Sequence, residues 1–522
     1  MNSQKNFYVT SPIYYVNDVP HIGHAYTSLA CDVIARAKRL EGYNVHFLTG
    51  TDEHGQKVEK SALLREKTPQ QFCDEISLKF RELADFMGYS YNDFIRTTED
   101  RHKKTAQVFW QKLEQNGWIY KDVYEGWYAL RDEAFYAEDE LVDGKAPTGA
   151  EVQWHKEESY FFKLSAFEKN LLALYDAVPD FIQPDSKRNE VVSFVKSGLK
   201  DLSISRTSFK WGVPVPSDEK HIMYVWLDAL TNYISALNFA NDDKKLYQDF
   251  WCNTSGSPIH IVGKDILRFH CVYWPAFLMA AELPLPNRVF AHGWWTNSGQ
   301  KISKSLGNVI DPYKEIEWLE SFKYKEVDGE KNISQVIAVD YFRYFLMKEV
   351  PFGNDGDYSR TSLINRVNAE LANNIGNLVQ RSLSMVIKNC DGLVPSCEVV
   401  QDSKNEIVEA IKCDIDNLAF NQALEKIIEL SNQANKYFND QAPWVLKKEN
   451  KIEQMNEVLY KTVENIRLIA ILLLPFIPNS ANKILDLINV STQERDFVSF
   501  DKQVRSGQKI NQPQIIFPNI RV

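Results

Sequence analysis

The sequence predicts an α/β fold: a parallel sheet split by an inserted domain and followed by an α-helical bundle. Three observations carry this expectation. Strand-like apolar runs at 7–13, 45–49, 259–263 and 288–292 are separated by helix-like stretches, the signature of a parallel sheet with crossover connections. From about 117 to 221 the texture changes to short aromatic, β-rich runs broken by turns such as Val142-Asp143-Gly144-Lys145. Beyond 360, apolar residues recur at helical spacing in 363–387, 407–437 and 452–474.

Taken in order, the strand at 7–13 leads through a loop into a helix at 25–40 that closes near Gly42, and then into the strand at 45–49. Thr49-Gly50-Thr51-Asp52-Glu53-His54-Gly55 follows at the carboxyl end of that strand, where open α/β sheets bind ligands. Residues 56–117 are charged and helix-patterned. The α/β pattern resumes after the insertion with 223–227 and with 259–263, the latter leading into a helix through Ala281. A mixed segment runs to about Arg360. No internal repeat or low-complexity tract is present.

Bulk properties exclude several classes. The 522 residues suffice for several domains with a real core. A net charge of -10 excludes a globally basic nucleic-acid binder, so an RNA partner needs a local surface. The seven cysteines are scattered and none is spaced C-x2-C, which suits free thiols in a reducing cytosol rather than disulfides or zinc knuckles. Only residues 1–6 precede the first strand, so no signal peptide is expected. The apolar run 468–478 is too short to span a bilayer and contains Pro475; it reads as the end of a buried helix.

Two short motifs carry the chemistry. His21-Ile22-Gly23-His24 lies between a strand and a helix, where helix N–H groups face a phosphate. Gly23 lets a purine approach the backbone, and His21 and His24 are placed to donate to an α-phosphate as it becomes pentacoordinate. Lys301-Ile302-Ser303-Lys304-Ser305 follows the strand at 288–292 and the turn Asn297-Ser298-Gly299. Lys301 and Lys304 suit β- and γ-phosphates, and Gly299 and Gly307 bracket a loop able to close. His292-Gly293-Trp294 and Gly263-Lys264-Asp265 stand at two further strand ends, the second offering Asp265 to ribose hydroxyls. Each feature alone has a plainer reading: a helix start with two exposed histidines, a solvated basic turn, an acidic first turn. Two such loops around one nucleotide are what ATP activation of a carboxylate requires. The attacking carboxylate is already ionised, so no general base is needed.

In this order the motifs resemble the HIGH and KMSKS pair of the class I aminoacyl-tRNA synthetases. Tyr224-Val225-Trp226-Leu227-Asp228-Ala229, Gly263-Lys264-Asp265-Ile266 with His270 downstream, and Trp211-Gly212-Val213-Pro214-Val215-Pro216 narrow the resemblance to the methionyl-tRNA synthetase family. It runs in order from Phe7 to Pro518. It implies a Rossmann-like catalytic domain in two halves (1–116 and 222–300) around an inserted connective domain (117–221). A KMSKS and stem-contact segment (301–360) and an α-helical anticodon-binding bundle (361–522) would follow. It implies an AMP-forming methionine–tRNA ligase that takes ATP with Mg2+ and charges initiator and elongator methionine tRNA in the cytoplasm. His21, His24, Lys301 and Lys304 would be catalytic. Tyr15, Gly23, Gly263, Asp265, His292, Gly293 and Lys304 would bind ATP.

The family's methionine pocket falls on Ile13, Tyr15, Asp52, Trp226, Ala229, Leu230, Tyr233, Ile266 and His270. Asp52 would hold the ammonium. Trp226, Tyr233 and Ile266 would enclose the thioether, and Tyr15 and His270 would offer the sulfur a weak hydrogen bond. Leu230 stands where the family has Pro. Arg206 matches an arginine that pairs with the acidic residue at Asp52. Anticodon contacts fall on Asn377 and Arg381, four apart on one helix face, and on Trp444 in Gln441-Ala442-Pro443-Trp444. For these aromatic and helix-face positions, core packing or a solvated face is the plain alternative. The family's insertion often carries zinc knuckles, but this insertion has no cysteine and only His155 as a soft ligand, so no structural zinc is expected. The family's further dimerising domain has no counterpart before Val522, so a monomer is expected. Rival readings are a synthetase for leucine, valine, isoleucine or cysteine, and a non-catalytic tRNA-binding relative. Larger editing insertions, a zinc site and a lost motif, respectively, would mark them.

Overall fold

Six strands of one sheet position the candidate site. They are β1 (Asn6–Tyr15), β2 (Asn44–Asp52), β3 (Asp93–Arg96), β4 (Ile182–Gln183), β5 (Ile259–Gly263) and β6 (Arg288–His292), in spatial order β3-β2-β1-β5-β6-β4. β1 runs parallel to β5, β2 to β3 and β6 to β4. Near-continuous apolar runs such as Phe7-Tyr8-Val9 suit strands covered on both faces, and Tyr8, Val9, Phe47, Leu48 and Ile261 are buried. Strand order reverses between β1 and β5, which makes the carboxyl ends of β1, β2 and β5 a natural ligand site. Gly50 in β2 is required by close approach: a Cβ there would lie 2.0 Å from the Ile95 carbonyl oxygen.

The structure is a computed structural model describing residues 5–17, 19–129, 131, 134–136, 138–254, 256–297, 299–302, 308–326, 329–396 and 405–521. The chain divides into two units. One comprises Asn6–Pro20 and His46–Ala291; the other comprises Met1–Lys5, His21–Val45 and His292–Val522.

The first unit holds the sheet, with α2 (Gln56–Leu63), α3 (Pro69–Phe86) and α4 (Asp100–Gln115). Its core gathers Phe109 and Trp110 of α4 with Trp251, Trp274 and Phe277. The inserted region forms a four-stranded sheet in which Ile119–Ala129 pairs antiparallel with Gln153–Phe162, flanked by Ala134–Tyr136 and Leu202–Ser203. The same region contributes β4 to the edge of the main sheet, and Leu171 and Val191 to the main core.

The second unit contains α1 (Ile22–Leu40), the buried helix Gln335–Lys348 and the bundle. Helix Arg360–Arg366 continues through a π-helical stretch, Val367–Gly376, into Asn377–Asn389. Asn405–Asp416, Phe420–Gln441, Ile452–Leu473 and Pro478–Leu487 complete the main helices. α1 is bound into this unit by polar links. Arg343, fully buried, donates to Asp32 Oδ2 at 2.6 Å and to the Phe476 carbonyl at 2.8 Å. Lys38 Nζ lies 2.6 Å from Asp416 Oδ1, and the Phe497 N–H bonds the Leu40 carbonyl at 2.8 Å.

Three expectations about elements change. The run 223–227 is the end of a strand, Asp218–Met223, followed by a helix, Val225–Leu230. A short apolar run has no period to separate helix from strand. The helix expected through Ala281 is instead a 3-10 turn (Lys264–Ile266), a π turn (Phe269–Tyr273) and an α-helix (Trp274–Ala280). The stretch 407–437 is two helices, broken where Leu418 takes φ 59°. Among the described residues no helix is long and apolar enough to cross a membrane.

Candidate active site

The HIGH turn is a helix cap made of histidines. His21 is extended at the N-cap of α1, and its Nδ1 accepts from the Gly23 N–H at 3.1 Å. His24 Nδ1 accepts in return from the His21 N–H at 3.1 Å. This is a capping box in which imidazoles replace the usual Ser and Glu. A nitrogen that accepts carries no proton, so both rings are the tautomer protonated at Nε2. The rings lie 3.9 Å apart, centroid to centroid. Burial, and secondarily the neighbouring His21, push the His24 imidazole well below its ordinary range and keep it neutral. The pair is thus a neutral double donor at a helix N-terminus, where partial positive charge gathers. Gly23 is forced by the same cap: a Cβ would lie 2.9 Å from the His21 ring.

Other residues of this unit converge on the same turn. The Thr27 hydroxyl stands 3.0 Å from the Gly23 carbonyl and 2.7 Å from His292 Nε2. Tyr26 packs edge-on against His292 and Trp295. Gly293 is needed because a Cβ would meet the Asn354 backbone at 2.3 Å. Lys301 lies in the strand Gln300–Lys301, which pairs with Trp295–Asn297; its side chain, with Lys304 and all of 303–307, lies outside the described residues. The flank beyond them returns to the HIGH turn, where the Ile22 N–H bonds the Ile310 carbonyl at 3.0 Å.

In the first unit, Tyr15, Asp52 and Gly263 are the last residues of β1, β2 and β5. Asp52 is buried and Asp265 is exposed in the turn after β5. The pocket residues on helical turns form one aromatic cluster. Trp226 stacks flat on Phe269 at 3.7 Å and meets His270 edge-on at 6.2 Å. Tyr233 donates to His270 Nε2 at 2.6 Å, and His270 Nδ1 donates to the Ile266 carbonyl at 3.0 Å. Burial, only partly opposed by that carbonyl, holds the His270 imidazole down at about 4. Ile13 and Ile266 are half-buried; Ala229 and Leu230 are buried. Both nitrogens of His270 thus have protein partners. Arg206 is buried and donates to Ser203 Oγ and the Ser205 carbonyl, each at 2.7 Å, beneath the Tyr224 ring.

Sequence reasoning missed Phe269, the stacking partner of Trp226, and His260, whose ring stacks on Tyr233 at 4.0 Å and bonds Thr10 Oγ1 at 2.8 Å. Phe269 was signalled only by its position beside His270. His260 was hidden inside a strand.

Residues 7–153 and 148–383 match the family described as tRNA synthetases class I (M), and residues 395–521 match the anticodon binding domain of methionyl tRNA ligase. The methionine–tRNA ligase of Rickettsia conorii is 55% identical, covering 98% of this chain and 99% of its own. That of Brucella suis biovar 1 is 48% identical over 99% of this chain and 98% of its own. The chain belongs to the class I methionyl-tRNA synthetases. A solved member, the Mycobacterium tuberculosis methionyl-tRNA synthetase in complex with methionyl-adenylate, is 44% identical with a TM-score of 0.91 and covers 99% of this chain and 100% of that one.

In the second unit the bundle residues expected at the anticodon come partly together. Asn377 opens the helix Asn377–Asn389 and is exposed. Arg381, one turn on, donates to Asn439 Oδ1 at 2.9 Å. Its guanidinium lies over Phe438 at 5.4 Å and Trp444 at 5.6 Å. Trp444 remains 38% exposed. It is presented by Ala442, which holds φ 41° between two helices.

The described residues of the insertion do not fit a structural zinc. Among the described residues the one group of possible ligands is Glu158, Asp218 and His221. An ammonium already sits there, Lys121 Nζ lying 2.6 Å from Glu158 and 3.0 Å from Asp218.

Proposed function

We propose that the chain activates L-methionine with ATP and transfers it to the 3′ end of methionine tRNA. In the first step a methionine carboxylate oxygen attacks the α-phosphorus. The bond to the bridging oxygen breaks, and pyrophosphate leaves with the Mg2+ that accompanied ATP. In the second step a ribose hydroxyl of the tRNA attacks the mixed anhydride carbonyl and AMP leaves. The observation that carries the reading is the histidine cap. Its two neutral Nε2–H donors suit charge that develops on a phosphoryl oxygen, because donors fixed before the reaction need no reorganisation during it.

The other roles follow from chemistry at each position. Lys301 and Lys304 neutralise the leaving pyrophosphate. Gly23, Tyr15, Gly263, Asp265, His292 and Gly293 receive the nucleotide, with Asp265 at the ribose. Asp52 takes the ammonium. Trp226, Ala229, Leu230, Tyr233, Ile266 and Ile13 surround the thioether, with His270 orienting Tyr233. Asn377, Arg381 and Trp444 read a CAU anticodon by bonding and stacking, in initiator and elongator tRNA alike. The relative that binds methionyl-adenylate supports this reading, and the scattered free thiols suit a reducing cytoplasm; the protein is taken to work there as a monomer without structural zinc. Pyrophosphate exchange measured across all twenty amino acids tests it: exchange should depend on methionine, and dependence on another amino acid would overturn it.

A further inference from the structure

One buried carboxylate joins three separate elements of the first unit. Asp228, in the Val225–Leu230 helix, is fully buried. Its Oδ2 lies 2.7 Å from His54 Nδ1 and its Oδ1 lies 2.6 Å from His102 Nε2. His54 follows β2, His102 belongs to α4, and both rings are buried. A ring nitrogen that faces a carboxylate carries a proton, so each imidazole donates. Burial alone would raise the Asp228 carboxyl, but the charge of His54 and the two hydrogen bonds outweigh it and hold the group well below the usual range.

The loop that carries His54 is locked on either side of it. The His54 ring packs edge-on against Trp211 at 5.7 Å. The Trp211 indole N–H donates to the Glu53 carbonyl at 2.5 Å, and the Gly55 N–H donates to the Trp211 carbonyl at 3.0 Å. Glu53 itself is held by Arg96 at 2.7 and 3.0 Å. None of the three residues of the network faces substrate in the reading above. Buried ionic networks add little net stability over apolar packing of equal volume, whereas a broken one is costly. Such a network serves position better than stability.

The neighbours in sequence say what is positioned. Asp52 lies two residues before His54. Trp226 lies two before Asp228, and Ala229 one after it. We propose that Asp228, with His54 and His102, is a positioning clamp. It fixes the spacing between the carboxylate that takes the amino acid's ammonium and the aromatic wall that takes its side chain. The inference rests on the assignment of Asp52 and Trp226 to methionine. Methionine must satisfy both ends at once, and small displacements of oriented groups are expensive for such a ligand.

The test uses the full chain in methionine-dependent pyrophosphate exchange, with active sites counted by the adenylate burst. Asp228→Asn keeps the shape but faces one imidazole with an amide. It should raise KM for methionine about ten- to a hundredfold, the scale of a lost charged hydrogen bond, and leave KM for ATP within about twofold. 4-(Methylthio)butanoate lacks the ammonium and needs only the wall, so its inhibition constant should change by less than about threefold. His102→Gln, which can still donate, should retain methionine affinity where His102→Leu loses it. Loss of active sites with unchanged KM in the remainder, or a parallel rise in KM for ATP, would overturn the clamp. Asp52→Asn separates the two levels. If Asp52→Asn leaves KM for methionine unchanged, the pocket assignment fails. If it raises KM while Asp228→Asn does not, the clamp alone fails.

Discussion

A histidine can cap a helix only through an unprotonated nitrogen, so the cap at His21 and His24 fixes which proton each ring can offer. The consequence is kinetic. His24→Ala removes one fixed donor and should lower kcat for adenylate formation by about a hundred- to a thousandfold, with KM for methionine little changed. Losing the cap should destabilise by only about 1 kcal/mol, so folded protein remains to be assayed. Lys304→Ala should show the same split, read by pyrophosphate exchange. The motif residues were legible because spacing alone carries them: a Gly between two histidines at a strand-to-helix junction. The tautomers were not legible, since they depend on which backbone N–H each ring meets. Nor were His260 and Phe269, whose importance lies in ring contacts with residues distant in sequence or disguised as core. Burial of histidines also has a titration signature. Burial holds the His270 imidazole at about 4, and it lowers His24 and His260 as well. Unfolded, all three bind a proton near 6.5. The unfolded chain therefore binds more protons below that value, and the stability these groups contribute, complete above it, is lost progressively as pH falls toward about 4. The thermal midpoint should drop between pH 6.5 and pH 5, above the carboxylate range, and His270→Asn should flatten part of that slope.

Elements were legible where their period was clean. The long amphipathic helices Phe420–Gln441 and Ile452–Leu473 follow their apolar spacing closely. The run 223–227 and the stretch after β5 were not, because each changes element within too few residues to show a period. The π turn at Phe269–Tyr273 lies inside one such run and sets His270 against the Ile266 carbonyl. In the bundle, Trp444 stands at the start of a short helix, set off by Ala442 and backed by Phe438 and Arg381. Base stacking on an aromatic contributes about 1–3 kcal/mol. Trp444→Ala should lower kcat/KM for charging a CAU-bearing tRNA by about ten- to a hundredfold while pyrophosphate exchange stays near normal. An equal fall in both would identify Trp444 as a core residue. Arg343 makes a different kind of prediction. It is the buried partner of Asp32 between Gln335–Lys348 and α1. Arg343→Met removes the buried guanidinium from Asp32 and should destabilise by about 3–5 kcal/mol, measured by chemical denaturation.

At the scale of the whole molecule, the class of fold followed from sequence because strand-like runs at both ends of an insertion point to one sheet. The partition did not follow, because it depends on what α1 packs against. The insertion illustrates the same limit. Its Ile182–Gln183 strand closes the edge of the main sheet, a role that two residues cannot advertise. With Lys121 bridging Glu158 and Asp218, the insertion should also need no metal. Chelator-treated protein should retain its melting temperature and its exchange activity, and elemental analysis returning one zinc per active chain would contradict this. The interleaving of the two units has a last consequence. The chain passes between them four times, at Lys5–Asn6, Pro20–His21, Val45–His46 and Ala291–His292, and the helix that begins with HIGH travels with the bundle. The tRNA-reading part is therefore not a cassette. A recombination event that exchanged residues 361–522 for those of a distant relative would also exchange the Asp416 and Phe497 partners on which α1 rests. Chimaeras should succeed only when Lys38 and the Leu40 end of α1 are inherited together with the tail, so α1 and the tail are expected to evolve as one heritable block although about three hundred residues of other sequence separate them.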